Sequence, residues 1–392
     1  MKRGTGTPSM AAKMLATVTM AVASGTALAA DPGVSAKEIV IGGVAPYTGP
    51  AGQLGYTITL GMRLGAEEIN AGGGINGRKI KVVVEDDQYV PAKSVQALQK
   101  LIDVHEVFAL GAISGGSHGL AMMPIIERNK IPVINPAVTT DTHYGANRPN
   151  VFGIGMTYQD GAFEMLKLVN QLHPNEKWGS MVQDDESGGP REAGYDRAVK
   201  ELGLNSVLKQ RFKPKQMDFS AEILRLKAAG ATALHLGGLP AINAAIIKEA
   251  KKQGMAIKFA GLWTDHTPPM IDLAGAEGDG MYIYDFVPSI TDKVAAGPFL
   301  RLTEKFMPKE DQPKANRYTM LGYVVMKVYA NAIAACGKDV TRACVSANIE
   351  KTRNFSAGVG SPVSFGHGVR VSAPGGSLLK IDFAGKQFAP VK

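Results

Sequence analysis

The chain has 392 residues, 45% of them hydrophobic, with 46 glycines and a formal charge of +8. That length exceeds one ordinary hydrophobic core and implies two domains, and the glycines suit many short turns. The positive excess includes no dense Lys/Arg block and no basic stripe with interleaved aromatics. This excludes the usual nucleic-acid binder and leaves a weak bias toward anionic ligands.

At the N-terminus, Lys2, Arg3 and Lys13 precede an apolar run over 14–23, and Ala27-Leu28-Ala29 supplies a small-x-small cleavage site. This predicts a cleaved secretory signal over residues 1–29. A membrane-spanning first helix fits less well, because Thr17, Thr19, Ser24 and Gly25 interrupt a run already too short. Removing the signal takes away Lys2, Arg3 and Lys13 and lowers the charge from +8 to +5. No cysteine lies near the cleavage site to take a lipid anchor, and no later run is long enough to cross a membrane. The expectation is a soluble protein in an exported compartment.

The next segment reads as a βαβ unit. Gly42-Gly43-Val44 ends a buried strand, Ala45–Pro50 is a Gly/Pro loop, a helix runs to Ala71 and stops at Gly72-Gly73-Gly74, and 79–85 is the second strand. The pattern continues with helix 92–104, strand 107–111, helix 120–128 and strand 132–135. Strand 151–156 closes this first series. Each strand is a short apolar run without alternation, as strands buried on both faces require, and small or hydroxyl residues that can cap a helix follow it. A second series runs from helix 160–172 through strands 178–182, 206–211, 233–236 and 258–262 to strand 281–286, with helices at 189–202, 219–229 and 241–253. Helices 298–306, 318–335 and 341–350 follow, and 361–365, 377–382 and 387–391 read as terminal strands. Two β/α series predict an α/β protein of two doubly wound, Rossmann-like lobes, with ligand at the carboxyl ends of the strands. Cys336 and Cys344 flank a helix stop and a helix start. In an oxidising compartment a disulfide there would staple the turn, and this pairing is expected in preference to two buried thiols.

Thr48-Gly49-Pro50, Glu68-Ile69-Asn70-Ala71-Gly72-Gly73, Gly77-Arg78-Lys79-Ile80 and Asp86-Asp87-Gln88 closely resemble the opening of the leucine/isoleucine/valine-binding family. Thr352-Arg353-Asn354-Phe355 and Gly360–Gly366 extend the resemblance, which covers essentially residues 37–392. The family comprises periplasmic solute receptors of ABC importers. The resemblance implies a type I periplasmic binding fold with three crossings between lobes, near 151–158, 283–289 and 358–368. That assigns 30–155 plus 287–358 to the first lobe and 156–286 plus 359–392 to the second.

The resemblance also implies a site. Tyr47, Gln53 and Leu54 fall in the first pocket-lining loop. Gly115 stands where amino-acid binders place a serine, with Ser114 and Ser117 on either side. Small residues there leave backbone N–H groups open at a helix start, a cradle for a carboxylate. Ala137 and Thr139 match a loop that holds the ligand's carboxylate and amine. Plainer roles exist for all three loops: turn shaping, core packing and helix capping. In the opposing lobe the expected acidic partner of an ammonium is replaced by Trp263, with Asp265 two residues on. Ser187-Gly188-Gly189 and Leu239-Pro240 stand where aromatic side chains are expected. An ammonium buried without its anion is costly. A tryptophan beside vacated volume suits a flat ligand that stacks. An aromatic carboxylate is therefore favoured, a branched-chain amino acid comes next, and Asp265 is the residue that would restore an amine site.

Catalysis is not indicated. The seven histidines lie apart, without metal-ligand spacing, and no phosphate-cradling Gly-x-x-x-x-Gly-Lys occurs. Neither a cofactor nor a metal is implied. The expected partners are a small carboxylate and a membrane permease, with the protein itself a monomer. A periplasmic ligand sensor feeding a signalling receptor is the alternative, and an exported enzyme the third reading. Mature protein is expected to begin at Ala30 or Asp31 and to appear in the periplasmic fraction; intact mass measurement of protein from that fraction checks this.

Overall fold

Short apolar runs followed by glycine or hydroxyl residues fold here as strand–helix units. The structure, a computed structural model, describes residues 31–49, 51–113, 115–137, 141–366, 368–372 and 375–391, with Met1, Gly4 and Gly6. The rest of the expected signal lies outside the described residues, as do Pro50, Ser114 and Thr139.

The first series comprises β1 (Glu38–Val44), α1 (Gly52–Ala71), β2 (Lys79–Glu85), α2 (Pro91–Asp103), β3 (Ala109–Ile113), α3 (Gly116–Arg128), β4 (Val133–Asn135) and β5 (Val151–Ile154). The second comprises α4 (Tyr158–Leu172), β6 (Lys177–Gln183), α5 (Gly188–Leu202), β7 (Asn205–Phe212), α6 (Ser220–Ala228), β8 (Ala233–Gly237), α7 (Pro240–Lys252), β9 (Lys258–Leu262), α8 (Pro268–Ala274) and β10 (Tyr282–Asp285). The chain then returns through α9 (Gly297–Phe306), α10 (Arg317–Ala334), α11 (Arg342–Glu350) and β11 (Val371–Ser372), and ends on β12 (Ser377–Asp382) and β13 (Gln387–Pro390).

Among the described residues the strands form two sheets. The first has the order β11-β5-β4-β3-β1-β2 and the second β13-β12-β10-β9-β8-β6-β7. Their central strands run parallel; only β12 and β13 are antiparallel additions. Ile39 and Ile41 of β1, and Leu234 and Leu236 of β8, are shielded on both faces of their sheets, which is why these strands lack polar alternation.

Two details depart from the sequence expectation. Residues 361–365 form no strand; Val363 makes one bridge to Phe355. Residues 371–372 pair with β5, so the chain still lies in the first sheet at Ser372 and joins the second only at Ser377. The assignment of 359–392 to the second lobe is corrected to that extent, because a two-residue parallel pairing has no periodic signal in the sequence.

Close packing, a disulfide and side-chain hydrogen bonds hold the returning helices. α10 crosses α1 at Gly61 and Gly322. A Cβ on Gly61 would lie 2.0 Å from the Thr319 carbonyl oxygen, and one on Gly322 would lie 2.2 Å from that of Ile58. Farther along, Cys336 and Cys344 form a disulfide. Beside it, the Arg342 guanidinium donates to the carbonyls of Val107, Phe108 and Asn129 at 2.7, 3.0 and 2.8 Å. Gly322→Ala is expected to destabilise the protein by about 1–3 kcal/mol, the usual cost of overpacking; urea denaturation against wild type checks this.

Candidate functional site

At the carboxyl ends of the two sheets the lobes meet: the Ser117 N–H, after β3, lies 3.2 Å from Glu186 Oε1, after β6, and local hydrogen bonding shapes each side of this inter-lobe cleft. On the first lobe, Asp86 ties two loops together. Its Oδ1 accepts from the N–H groups of Tyr47 and Gln88 at 2.9 and 2.8 Å, and its Oδ2 accepts from Thr48 Oγ1 at 2.9 Å. Burial would raise this carboxyl, but those donors outweigh it and hold it low. Asp87, fully buried, accepts from the Tyr89 N–H and from Ser94 Oγ. These bonds hold Gln88 and Tyr89 at φ of +54° and +57°, a backbone region unfavourable for side chains of this size. The result is a tyrosine projected over the start of α3, where its ring packs on His118 with centroids 4.4 Å apart.

Gly115 has φ +46°, and a Cβ there would lie 2.5 Å from His118 Nδ1. Only glycine fits this close approach. The Ser117 N–H, in the first turn of α3, donates across the cleft to Glu186 Oε1 at 3.2 Å. His118 is buried, and its Nε2 has no partner among the described residues. Ala137 is held by Asn135, whose Oδ1 accepts from the Ala137 N–H and whose Nδ2 donates to its carbonyl. Tyr47 is half-buried and edge-on to Tyr56. Leu54 is half-buried against the main core, and Gln53 is exposed on the first turn of α1.

On the second lobe, Asp185 accepts from the N–H groups of Ser187 and Gly188 and so caps α5. A Cβ on Gly188 would lie 1.7 Å from the Gln183 carbonyl oxygen, so glycine is required where α5 leaves β6. This close start brings Arg191 into the lobe. Arg191 is 2% exposed, its guanidinium carbon stands 3.7 Å from the Tyr158 ring centroid, and its Nε has no partner among the described residues. Its Nη1 and Nη2 make long bonds, 3.3 Å each, to the Gly237 carbonyl and Thr264 Oγ1. No carboxylate among the described residues pairs with it.

Trp263 is 4% exposed; it stacks on Tyr158 at 5.6 Å and meets Phe286 edge-on at 5.1 Å. Tyr158 therefore stands between Trp263 and the guanidinium as part of one aromatic stack. Asp265 is fully buried, with both its oxygens 3.0 Å from Asn243 Nδ2. Burial, opposed by Asn243 and Arg191, pushes its carboxyl up to about 7. It lies in the lobe interior against α7. His235, also fully buried, is pushed down to about 3 and is neutral.

The structure thus gathers Gly115, Ser117 and Ala137 at the strand ends of the first lobe. It sets Gln53 in solvent and Asp265 in the interior. Arg191, Glu186, Tyr89 and Tyr158 were not among the residues expected from sequence. Arg191 left a signal: a cation in the first turn of a helix opposes the helix dipole, and a residue so placed commonly has a task of its own.

Residues 115–119 read Gly-Gly-Ser-His-Gly, a match to the Gly-x-Ser-x-Gly elbow of some hydrolases. The geometry is not that of a triad. Ser117 lies inside the helix, its Oγ meets the imidazole of the adjacent residue at 3.4 Å, and no acid among the described residues bonds that ring's Nε2. Among the described residues no group of three His, Cys, Asp or Glu could hold a metal ion. A cavity of about 50 Å³ lined by His266, Ile290, Asn316 and Arg317 lies at the hinge rather than in the cleft.

Two doubly wound lobes with apposed strand ends define a two-lobed binding protein of the type I periplasmic fold. The chain belongs to the periplasmic binding protein family, whose model matches residues 38–375. It is 27% identical over 310 residues to an "Amino acid binding protein" of Pseudomonas aeruginosa, covering 76% of this chain and 79% of that one. A branched-chain amino acid ABC transporter structure from Thermus thermophilus with bound valine superposes with a TM-score of 0.81 at 19% identity, covering 92% of this chain and 96% of that one. A solute-binding protein from R. palustris in complex with 4-hydroxybenzoate superposes with a TM-score of 0.80 at 18% identity, covering 91% and 96%. At such identities the likeness shows the fold alone.

Asp265 also generates a pH dependence. Its carboxyl is raised in the folded protein, so its contribution to stability is complete below pH ~4 and is lost as pH rises toward 7. Asp265→Asn should flatten this slope, worth at most about 4 kcal/mol, in urea denaturation compared at pH 4.5 and pH 7.5.

Proposed function

We propose that this protein is the periplasmic solute-binding component of an ABC importer. It captures a small carboxylate between its two lobes and delivers it to a membrane permease without chemical change. The observation that carries the reading is Arg191, a buried guanidinium without an anionic partner among the described residues, sited at the strand ends that face the other lobe. A buried charge without its counterpart is unfavourable, and a ligand anion relieves it. Arg also matches a carboxylate by its planar fork of donors.

An aromatic acid is favoured over a branched-chain amino acid. Tyr89, Tyr158, Trp263 and His118 bring rings to the cleft and its wall. Asp265, the residue that would receive an ammonium, is occupied by Asn243 and faces the interior. The valine-bound relative supports the second reading, since the same fold accommodates an amino acid there. Calorimetric titration with benzoate, 4-hydroxybenzoate and phenylpropanoate beside leucine and valine tests this. Aromatic acids should bind and branched-chain amino acids should bind at least tenfold more weakly. Tight leucine binding with no response to any aromatic acid would overturn the ligand assignment.

A further inference from the structure

The start of α3 is the obvious place on the first lobe for a ligand carboxylate, since the first N–H groups of a helix lack partners within it. In this structure that place is taken. Glu186, from the turn before α5, reaches from the second lobe and accepts the Ser117 N–H. Its charge is also felt at Tyr89, as are those of Asp185 and Arg191, so all four groups share one neighbourhood. Five residues beyond Glu186, and buried where Glu186 is exposed, lies Arg191 with its Nε unpartnered. On the other side His118 Nε2, buried and also unpartnered, belongs to the first turn of α3.

We propose that the ligand binds with its carboxylate on Arg191 in the second lobe, and that Glu186 is a closure latch occupying the anion position of the first lobe. This rests on the cleft being the ligand site. It reverses the orientation expected from the serine and threonine loops. It also makes Glu186 a specificity residue. Bound to Ser117, its carboxylate is not available to an ammonium, and with the ligand's negative end on Arg191 it excludes a second anion from the helix start. The ligand class that fits is a monocarboxylate without a free α-amine, whose neutral, hydrogen-bonding end meets Tyr89 and His118.

The test compares wild type, R191K, R191Q, E186Q and E186A, each checked for folding by circular dichroism, with benzoate, 4-hydroxybenzoate and L-leucine as probes. R191K keeps the charge but loses the fork, and should weaken aromatic-acid binding about tenfold or more; R191Q should weaken it further, as loss of a charged hydrogen bond predicts. E186A should raise the radius of gyration of ligand-free protein in solution scattering. It should also speed ligand dissociation about two- to fivefold, the range for an exposed anion at a helix start. Acid binding indifferent to R191K and R191Q overturns the orientation. Unchanged scattering and dissociation in E186A overturn the latch. Leucine binding that E186Q abolishes identifies Glu186 as an amine partner and overturns the class assignment. Wild type that binds none of the probes sinks the carboxylate reading, and the Arg191 assignment with it, while the scattering arm still decides the latch.

Discussion

A single buried carboxylate joins the two halves of this protein. Asp285 ends β10 in the second sheet, and Arg317 begins α10, which packs back on the first lobe. The guanidinium meets the carboxylate through two bonds of 2.5 and 2.9 Å. His266 Nδ1 donates to it at 2.5 Å, and the N–H groups of Phe286 and Val287 close the remaining positions. Burial alone would raise this carboxyl, but Arg317 and His266 outweigh it and hold it low. A buried ion pair is a modest source of stability and an effective source of geometry, because breaking either half leaves a stranded charge. The crossing is therefore defined at the point from which α10 sets out toward Gly61.

The cleft shows the opposite arrangement. Asp285 is saturated with donors, whereas Arg191 lies buried on an aromatic ring with no partner for its Nε among the described residues. A satisfied buried charge organises the fold, and an unsatisfied one is what the proposed ligand anion would complete. Asp265 belongs with the structural group. Asn243 and a raised proton affinity let it stay buried without an ion pair among the described residues.

The fold by itself does not choose the ligand. Structures of the same architecture hold valine in one case and 4-hydroxybenzoate in another. In the proposed site that choice falls to a few side chains at the strand ends, which the scaffold positions through caps and close glycine contacts. Gly115 and Gly188 act alike here: one lets His118 approach the start of α3, the other lets α5 start directly over β6. The cavity at the hinge is lined by Arg317 and His266 and by none of the residues named at the strand ends.

Much of the architecture was legible in the sequence. Unbroken apolar runs such as that of β1, followed by capping residues, determined parallel strands and intervening helices, since a strand covered on both faces has no polar side to alternate. The Cys336–Cys344 bridge was legible too, because the turn between them is short. The 2-residue β11 and the isolated bridge at Val363 were not, because pairing of that length depends on neighbours distant in the chain. The site was half legible. Loops at strand ends could be named from the alternation of elements, and Gly115, Ser117 and Ala137 do lie there. The direction of a side chain could not. Whether Asp265 faces ligand or Asn243, whether Trp263 is open or stacked on Tyr158, and whether Arg191 meets solvent or the cleft all depend on what the opposite element presents. Local sequence determines which residues reach a strand end; only the packing of two lobes decides which charges are left without a partner.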